Sequence, residues 1–430
     1  VFDVGGLADW TNISWTEGAP YGEELPGNNY DEAAAGILGG ANMSGNVLLL
    51  HLNNDSSYDE HDTHVYDFSG NGNNGTANAG AYPDADGMFN SSFRFDGNAN
   101  DYITLPASDS MISGTTGTLT AWVKTDAGYN NAARILTIHR GSGCGSGFNI
   151  VIYNNQWQSY ANDGSSGAYL SSNVDVDTGW HFIAATNDGT THKIYVDGRF
   201  RNSQSRGMTA GSKMGFVGHY CDGQSSTYAW KGLIDEAAIW DRSLSAQEIL
   251  DIYKRGALGL KITTRGCDDD NCTGVAWNRS YDDSSVQQLD AEDSQYFQYK
   301  AYFETEDSSF APLLHNVSIG YEILDNKAPI VRLESPSNDS TEESDKTPDF
   351  IFNVSDERAT TLDCSLWLNN TAGGTAQKVG SNASVLKDTT TIMVPTVPVA
   401  NSIYTWWVSC SDAFNTNASE KRLINFSVPD

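Results

Sequence analysis

The sequence predicts an all-β protein, and three observations carry that prediction. Short runs of alternating apolar and polar residues recur along the chain, separated by Gly-, Asn- and Asp-rich turns roughly every 8–12 residues. The composition supplies 41 Gly and 11% aromatic side chains, the material of turns and strands. A single stretch, SAQEILDIYKRG, carries helical periodicity instead. At 430 residues the chain has room for about two to four domains, and 39% hydrophobic residues can fill their cores.

Taken in order, VFDVGGLADWTNISWTEG at 1–18 reads as two strands with no third to pair with. From residue 45 to residue 256 the strands are VLLLHL, SFRFDG, DYITLP, LTAWVKT, ARILTIHR, FNIVIY, HFIAAT, HKIYVDG, MGFVGHY and GLIDEAAIW. This density marks a sandwich or jelly roll. Asn187-Asp188-Gly189 and Asp197-Gly198 close two of the runs, and Asp-Gly pairs supply the positive φ that short hairpin turns need. The stretch 180–200 also holds Trp, His, Asp and Lys, so chemistry and framework compete as its explanation. In the helix, Ser245 and Glu248 form a capping box, Ile249, Ile252 and Tyr253 give one apolar face, and Gly256 is expected to end it. LKITTRGCDDDNCTG, QYFQYKAYFET and LLHNVSIGYE, within 257–323, look like strands of a sandwich lacking its start. Beyond residue 324, FIFNVSD, TLDCSLWLNN, TTIMVP, YTWWVSCSDAFNTN and KRLINFSV give about seven short strands, the count of an Ig-like sandwich. Pro329 and Pro336 suit a stiff linker into it.

Four stretches resemble the laminin-G-like, concanavalin A-like lectin family: DFSGNGNNGT at 67–76, LTAWVKT at 119–125, GWHFIAATNDGTTHKIYVDG at 179–198 and GLIDEAAIWDRSLSAQEI at 232–249. The resemblance covers nearly all of 45–256. It implies a jelly roll of two antiparallel sheets, with Trp122, Phe182, Ile183, Tyr195, Ile234 and Trp240 in the core and the 180–200 hairpin as framework. The flanks together resemble one small β-sandwich module of microbial surface proteins, in which VFD and W-x-x-I-S-W strands precede R-x-C-D-D and Q-Y-F-Q-Y-K strands. Residues 1–44 would then pair with 257–323, and the jelly roll at 45–256 would be an insertion, which compact domains with neighbouring termini permit. Residues 324–430 resemble the Ig-like repeats of prokaryotic surface proteins.

The formal net charge of −30 argues against nucleic acid, which needs a basic surface. It fits an extracellular or cell-surface protein; the plainer account is that surface acid keeps the chain in solution. No window reaches the roughly 18 apolar residues of a membrane span. The chain opens at Val1 without a leader pattern, as a processed form or a piece of something longer would. Six cysteines allow fifteen pairings. Confining each bridge to one domain selects Cys144–Cys221, Cys267–Cys272 and Cys364–Cys410, the last stapling the two Ig-like sheets. Sequons begin at Asn12, Asn42, Asn54, Asn74, Asn90, Asn271, Asn278, Asn316, Asn338, Asn353, Asn369, Asn382, Asn417 and Asn425, with none between Asn90 and Asn271. They favour a glycosylated outer surface, against a background of chance matches in an Asn- and Ser/Thr-rich chain.

Because hydrolases share the concanavalin-like fold, an enzyme has to be tested for. The best carboxylates are Asp235, Glu236 and Asp241. Strand alternation sends Asp235 and Glu236 to opposite faces, and the E-x-D-x-x-E pattern of related glucanases is absent. Nucleophile-elbow, zinc-protease and P-loop motifs are also absent. For Ca²⁺, Asp67, Asn71 and Asn73 sit on one Gly-rich turn and Asp96, Asn98 and Asn100, with Asp101, on another, set against simple Asx-turn chemistry. CDDDNC is better explained as a tight disulfide turn. For sugar, Tyr129, Trp157, Tyr160, Tyr220 and Trp230 fall on or near loops, with the Cys144–Cys221 bridge pinning two of them; burial of those rings is the competing account. The expected function is adhesion or glycan recognition, non-enzymatic and Ca²⁺-assisted. The alternative is a structural subunit of a filament, S-layer or stalk that pairs with neighbouring subunits by strand addition. A third possibility is an accessory module of a larger glycoside-processing enzyme.

Overall fold

The computed structural model describes the whole chain except residues 79, 107–110, 140–143, 145, 146, 210–213, 222–224, 325, 326, 413 and 430. It is all-β, with one α-helix, Ala246–Ala257, among the described residues.

The jelly roll is two sheets of eight strands. The front sheet runs Gly167–Asp175, Gln156–Asn162, Gly147–Tyr153, Arg134–His139, Met214–Val217, Ile103–Leu105, Gly75–Ala77 and His64–Val65. The back sheet runs Arg199–Ser205, Thr191–Val196, Trp180–Asp188, Thr116–Thr125, Lys231–Trp240, Ser92–Asp96 and Ala81–Asp84, with Asn46–Leu50 also on Lys231–Trp240. The 180–200 stretch is framework: Ala184 pairs with Tyr195, and the following turn holds Asp197 at φ 53° and Gly198 at φ 68°, the two positive values a primed hairpin turn requires.

Alternation along the back sheet feeds two cores. Ile183, Val123, Ile234 and Ile239 face the front sheet. Trp122, Phe182, Tyr195 and Trp240, one residue out of phase, face outward and pack under Ile249, Ile252 and Tyr253 of the helix, with Leu25 and Met43 of the N-terminal connection. Both capping-box bonds form, Glu248 N–H to Ser245 Oγ and Ser245 N–H to Glu248 Oε2. Gly256 does not end the helix, which runs on to Ala257 and passes directly into strand Leu258–Cys267. A Cβ at 256 would lie 2.6 Å from Trp122 Cζ2, so this glycine admits the indole rather than breaking the chain. One residue earlier, buried Arg255 pairs with Glu32 at 2.7 Å and donates from Nε to the Glu23 and Glu24 carbonyls, clamping the connection onto the helix.

Residues 1–18 contribute one strand, Phe2–Glu17, rather than two, because a register shift between Asp3 and Ala8 bends it without breaking it. It is not unpartnered. Residues 8–17 pair antiparallel with Leu314–Ile323, and its other side meets Ser294–Thr305 and Gln287–Gln288. Leu258–Cys267 extends the same sheet.

The C-terminal part is a three-stranded and a six-stranded sheet around Phe350, Phe352, Leu366, Trp406 and Val408. The three disulfides join the expected cysteines. Cys364 and Cys410, however, face each other on adjacent strands of one sheet, so this bridge ties neighbours rather than stapling two sheets.

Candidate functional site

Among the described residues, the outer face of the front sheet has no helix over it. Cross-strand register places Thr137, Asn149, Tyr160 and Tyr169 in one row over four adjacent strands. Beside that row, the pairing of Arg134–His139 with Gly147–Tyr153 skips a residue, Leu136 opposing Ile150 while Arg134 opposes Val151. Such a bulge re-aims a side chain, and here it puts Arg134 on the outer face. Arg134 is 4% exposed. Its guanidinium lies 5.8 Å from the Tyr169 ring, 5.1 Å from Tyr220 and 5.3 Å from Tyr228, with Nη2 donating to Tyr169 Oη at 2.8 Å. Tyr169 in turn stacks on Tyr153 at 4.5 Å and contacts Tyr160 at 5.0 Å. Tyr220 lies edge-on to His139 at 4.8 Å, and its hydroxyl donates to the Cys144 carbonyl beside the Cys144–Cys221 bridge. Burial pushes the Tyr220 phenol up; Arg134 opposes this, while Tyr160, Tyr169 and Tyr228 reinforce it.

Beneath the tyrosines lie buried polar atoms without partners among the described residues: both amide atoms of Asn149, Thr137 Oγ1, His139 Nδ1 and Arg134 Nε. Unpartnered atoms also occur inside the sandwich, on the neighbouring indoles of Trp157 and Trp230 for example. The front face differs in holding five on two adjacent strands, one of them on the buried guanidinium itself. Buried polar groups are ordinarily paired, so such a concentration marks a place where a ligand's polar groups can be used.

The sequence-derived sugar residues divide. Tyr160 and Tyr220 belong to this cluster. Trp157 and Trp230 do not: both are fully buried in the inter-sheet core, 6.3 Å apart, Trp157 from the inward side of strand Gln156–Asn162 and Trp230 from the residue before strand Lys231–Trp240. Tyr129 hydrogen-bonds Asn155 at a turn. Arg134, Asn149, Tyr153, Tyr169 and Tyr228 were missed.

Of the calcium candidates, Asp67 is an internal anchor. Its Oδ1 accepts from Leu49 and Ser69 N–H, and its Oδ2 from Ser69 Oγ–H and Asn73 N–H. Asn71 donates to the Asn46 carbonyl and Asn73 to the Val47 carbonyl, strapping the turn to strand Asn46–Leu50. In the second loop, Asp101 Oδ2 accepts from Asp96 N–H and Asn98 N–H, while Asp96, Asn98 and Asn100 stay exposed. Two other groups bring ligand atoms within 4.8 Å of one another, Glu24–His51–Glu236 and Asp59–His61–His64. In the first, burial disfavours the charged His51 ring, yet Glu236, Glu24 and Glu60 outweigh it and raise the histidine's pKa. That group is a buried ion pair.

Asp235 and Glu236 do not point to opposite faces. An extra residue between Asp235 and Ala238, with Glu236 at φ 48°, turns both outward. There Asp235 accepts from Phe89 N–H, and Glu236 accepts from Leu25 N–H and pairs with His51. Burial, then Glu236, holds the Asp235 carboxyl far above its ordinary range. These two residues fasten loops.

Residues 96–250 match the family model of the concanavalin A-like lectin/glucanases superfamily. The sandwich is thus lectin/glucanase-like. Among solved structures, domain 4 of an extracellular arabinanase from Geobacillus stearothermophilus, in complex with arabinotriose, is 18% identical over 48% of this chain and 98% of that one, at TM-score 0.40. Trypanosoma rangeli sialidase is 16% identical over 51% of this chain, at TM-score 0.37, and only 34% of its own length is spanned. The binding domain of Paraclostridial Mosquitocidal Protein 1 is 12% identical over 89% of this chain and 92% of that one, at TM-score 0.39. No curated protein matches the sequence.

Proposed function

We propose that this is an extracellular, non-enzymatic adhesion or recognition protein whose jelly roll binds glycans on the outer face of its front sheet. The observation that carries this reading is the Arg134 cluster, with half-exposed phenols for sugar faces and hydroxyls above buried polar atoms that lack partners. Lectin/glucanase-like architecture supports it, because the face lies on the domain that matches the family model. The sequon pattern supports it as well. None of the fourteen sequon asparagines is buried, and the interval without sequons, 91–270, contains every residue of the cluster. A binding face is thereby kept clear of the protein's own glycans. Three disulfides favour an oxidising compartment, and no helix is long and apolar enough to cross a membrane. The filament reading leaned on an unpaired opening strand, and that strand is paired within the chain.

The test is a thermal melt of the whole chain against a panel of oligosaccharides. A ligand at a hundred times its Kd adds about 2.7 kcal/mol of stability. A sugar-specific rise that Tyr160→Ala and Tyr169→Ala abolish is expected; a rise they leave intact would move the site elsewhere. The calcium part is tested by repeating the melt with Ca²⁺ and with EDTA. A Ca²⁺-dependent rise that Asp96→Asn removes would assign the ion to the 96–101 loop.

A further inference from the structure

Resting on that reading, and deepening it, we infer that the front-face site takes an anionic sugar, one carrying a carboxylate or a sulfate ester, and that Arg134 is the residue that selects it.

Arg134 makes no ion pair among the described residues. Its contacts are the Ala132 carbonyl, the Tyr169 hydroxyl and the faces of three phenols, and its Nε is unpartnered. The other fully buried arginine shows what this chain does when a guanidinium has only a structural task. Arg255, also 4% exposed, is given both oxygens of Glu32, with Glu23 alongside. With 55 acidic residues against 25 basic ones, carboxylates are abundant. Even so, the charge at 134 is met only by neutral groups.

A desolvated cation without a counter-charge is costly. Aromatic faces offset part of that cost, but they do not use the guanidinium's paired donors, which match a two-oxygen anion. The unpartnered Nε belongs to the edge that would complete such a fork. Around it, Asn149 and Thr137 lie fully buried beneath the phenols with unpartnered donors and acceptors, and the phenols offer faces for a sugar ring. The formal net charge of −30 works against anions over the molecule as a whole, so an acidic sugar needs a local cation such as Arg134 to bind.

The experiment measures affinity of the whole chain for sialyllactose, sulfolactose and lactose, and for an oligogalacturonate and its methyl ester. The expected result is that at least one acidic sugar binds about tenfold or more tighter than its neutral partner. Arg134→Met should erase that preference, Arg134→Lys should restore it only in part, and raised salt should weaken it. The sialyl and galacturonate arms report carboxylate recognition, and the sulfo arm reports sulfate. Neutral and acidic partners binding equally, or a preference that survives Arg134→Met, would overturn the inference while glycan recognition stood. Silence across every sugar would remove both. If Met at 134 prevents folding, the selectivity of the unaltered chain and its loss in salt decide the question.

Discussion

On the outer face of the back sheet, Trp122, Phe182, Tyr195 and Trp240 disappear beneath a helix. On the outer face of the front sheet, Tyr153 and Tyr169 stay over a third exposed around a buried arginine. Both faces belong to one sandwich, and both carry aromatic residues at alternate positions. They differ in what lies under the aromatics. Beneath the helix the packing is mostly apolar and the carboxylates are paired, as Glu236 is with Leu25 and His51, while the atoms left without partners are scattered, Trp240 Nε1 and Thr120 Oγ1 among them. Beneath the tyrosines lie an amide, a hydroxyl and an imidazole with unused hydrogen-bonding capacity. The first face is optimised for stability. The second gives up stability for something else, as sites of function commonly do.

That contrast can be broken by mutation. Trp122→Ala should cost about 3–5 kcal/mol in urea or thermal unfolding, through the cavity it opens between sheet and helix, and should leave ligand affinity unchanged once folded. Arg255→Met should cost about 3 kcal/mol, because it strands the buried Glu32 carboxylate. A smaller effect is expected from pH. Burial, with Glu23 nearby, pushes Glu17 from 4.5 up to about 7. A raised carboxyl favours the folded state while protonated. Its contribution is therefore complete below pH 4.5 and is lost as pH rises through about 7. A melt series should show this decline, on the order of 2 kcal/mol, and Glu17→Gln should flatten it. The last prediction has the opposite sign. Asn149→Leu on the front face should be neutral or stabilising by about 1 kcal/mol, since it removes polar atoms that have no partners, and it should abolish glycan binding. A destabilised Asn149→Leu would mean that the face is ordinary framework.

Much of the fold was legible because local chemistry specifies it. Asp197-Gly198 has the residues of a primed turn, and Ser245 and Glu248 those of a capping box. What alternation could not reveal was which face of a strand looks inward. Trp157, two residues after the Asn154-Asn155 turn, and Trp230, one residue before strand Lys231–Trp240, read as rim residues from their nearness to loops, and both are core. The Cys364–Cys410 pair was legible, but whether it joined sheets or neighbouring strands depended on a register that the spacing of 46 residues does not encode. The site was half legible. Tyr160 and Tyr220 stood out as aromatics near loops, whereas Arg134 was one residue of the run ARILTIHR with nothing local to single it out. Its place on the outer face follows from a bulge, and two of its aromatic neighbours, Tyr220 and Tyr228, come from much farther along the chain.

The pairing of the opening strand with Leu314–Ile323 also governs how the molecule carries load. Tension applied between residue 2 and residue 330 reaches the pairs Phe2↔Phe297 and Asp3↔Tyr296 on one side of that strand and Ala8↔Ile323 and Asp9↔Glu322 on the other before any later pair. The path crosses from one strand to the other there and continues toward the C-terminal sandwich. Residues 45–256 hang off that path as a closed loop and feel no pull. Under stretch, the seam between the opening strand and Leu314–Ile323 would unzip pair by pair, and the front sheet would keep its geometry until the seam had parted.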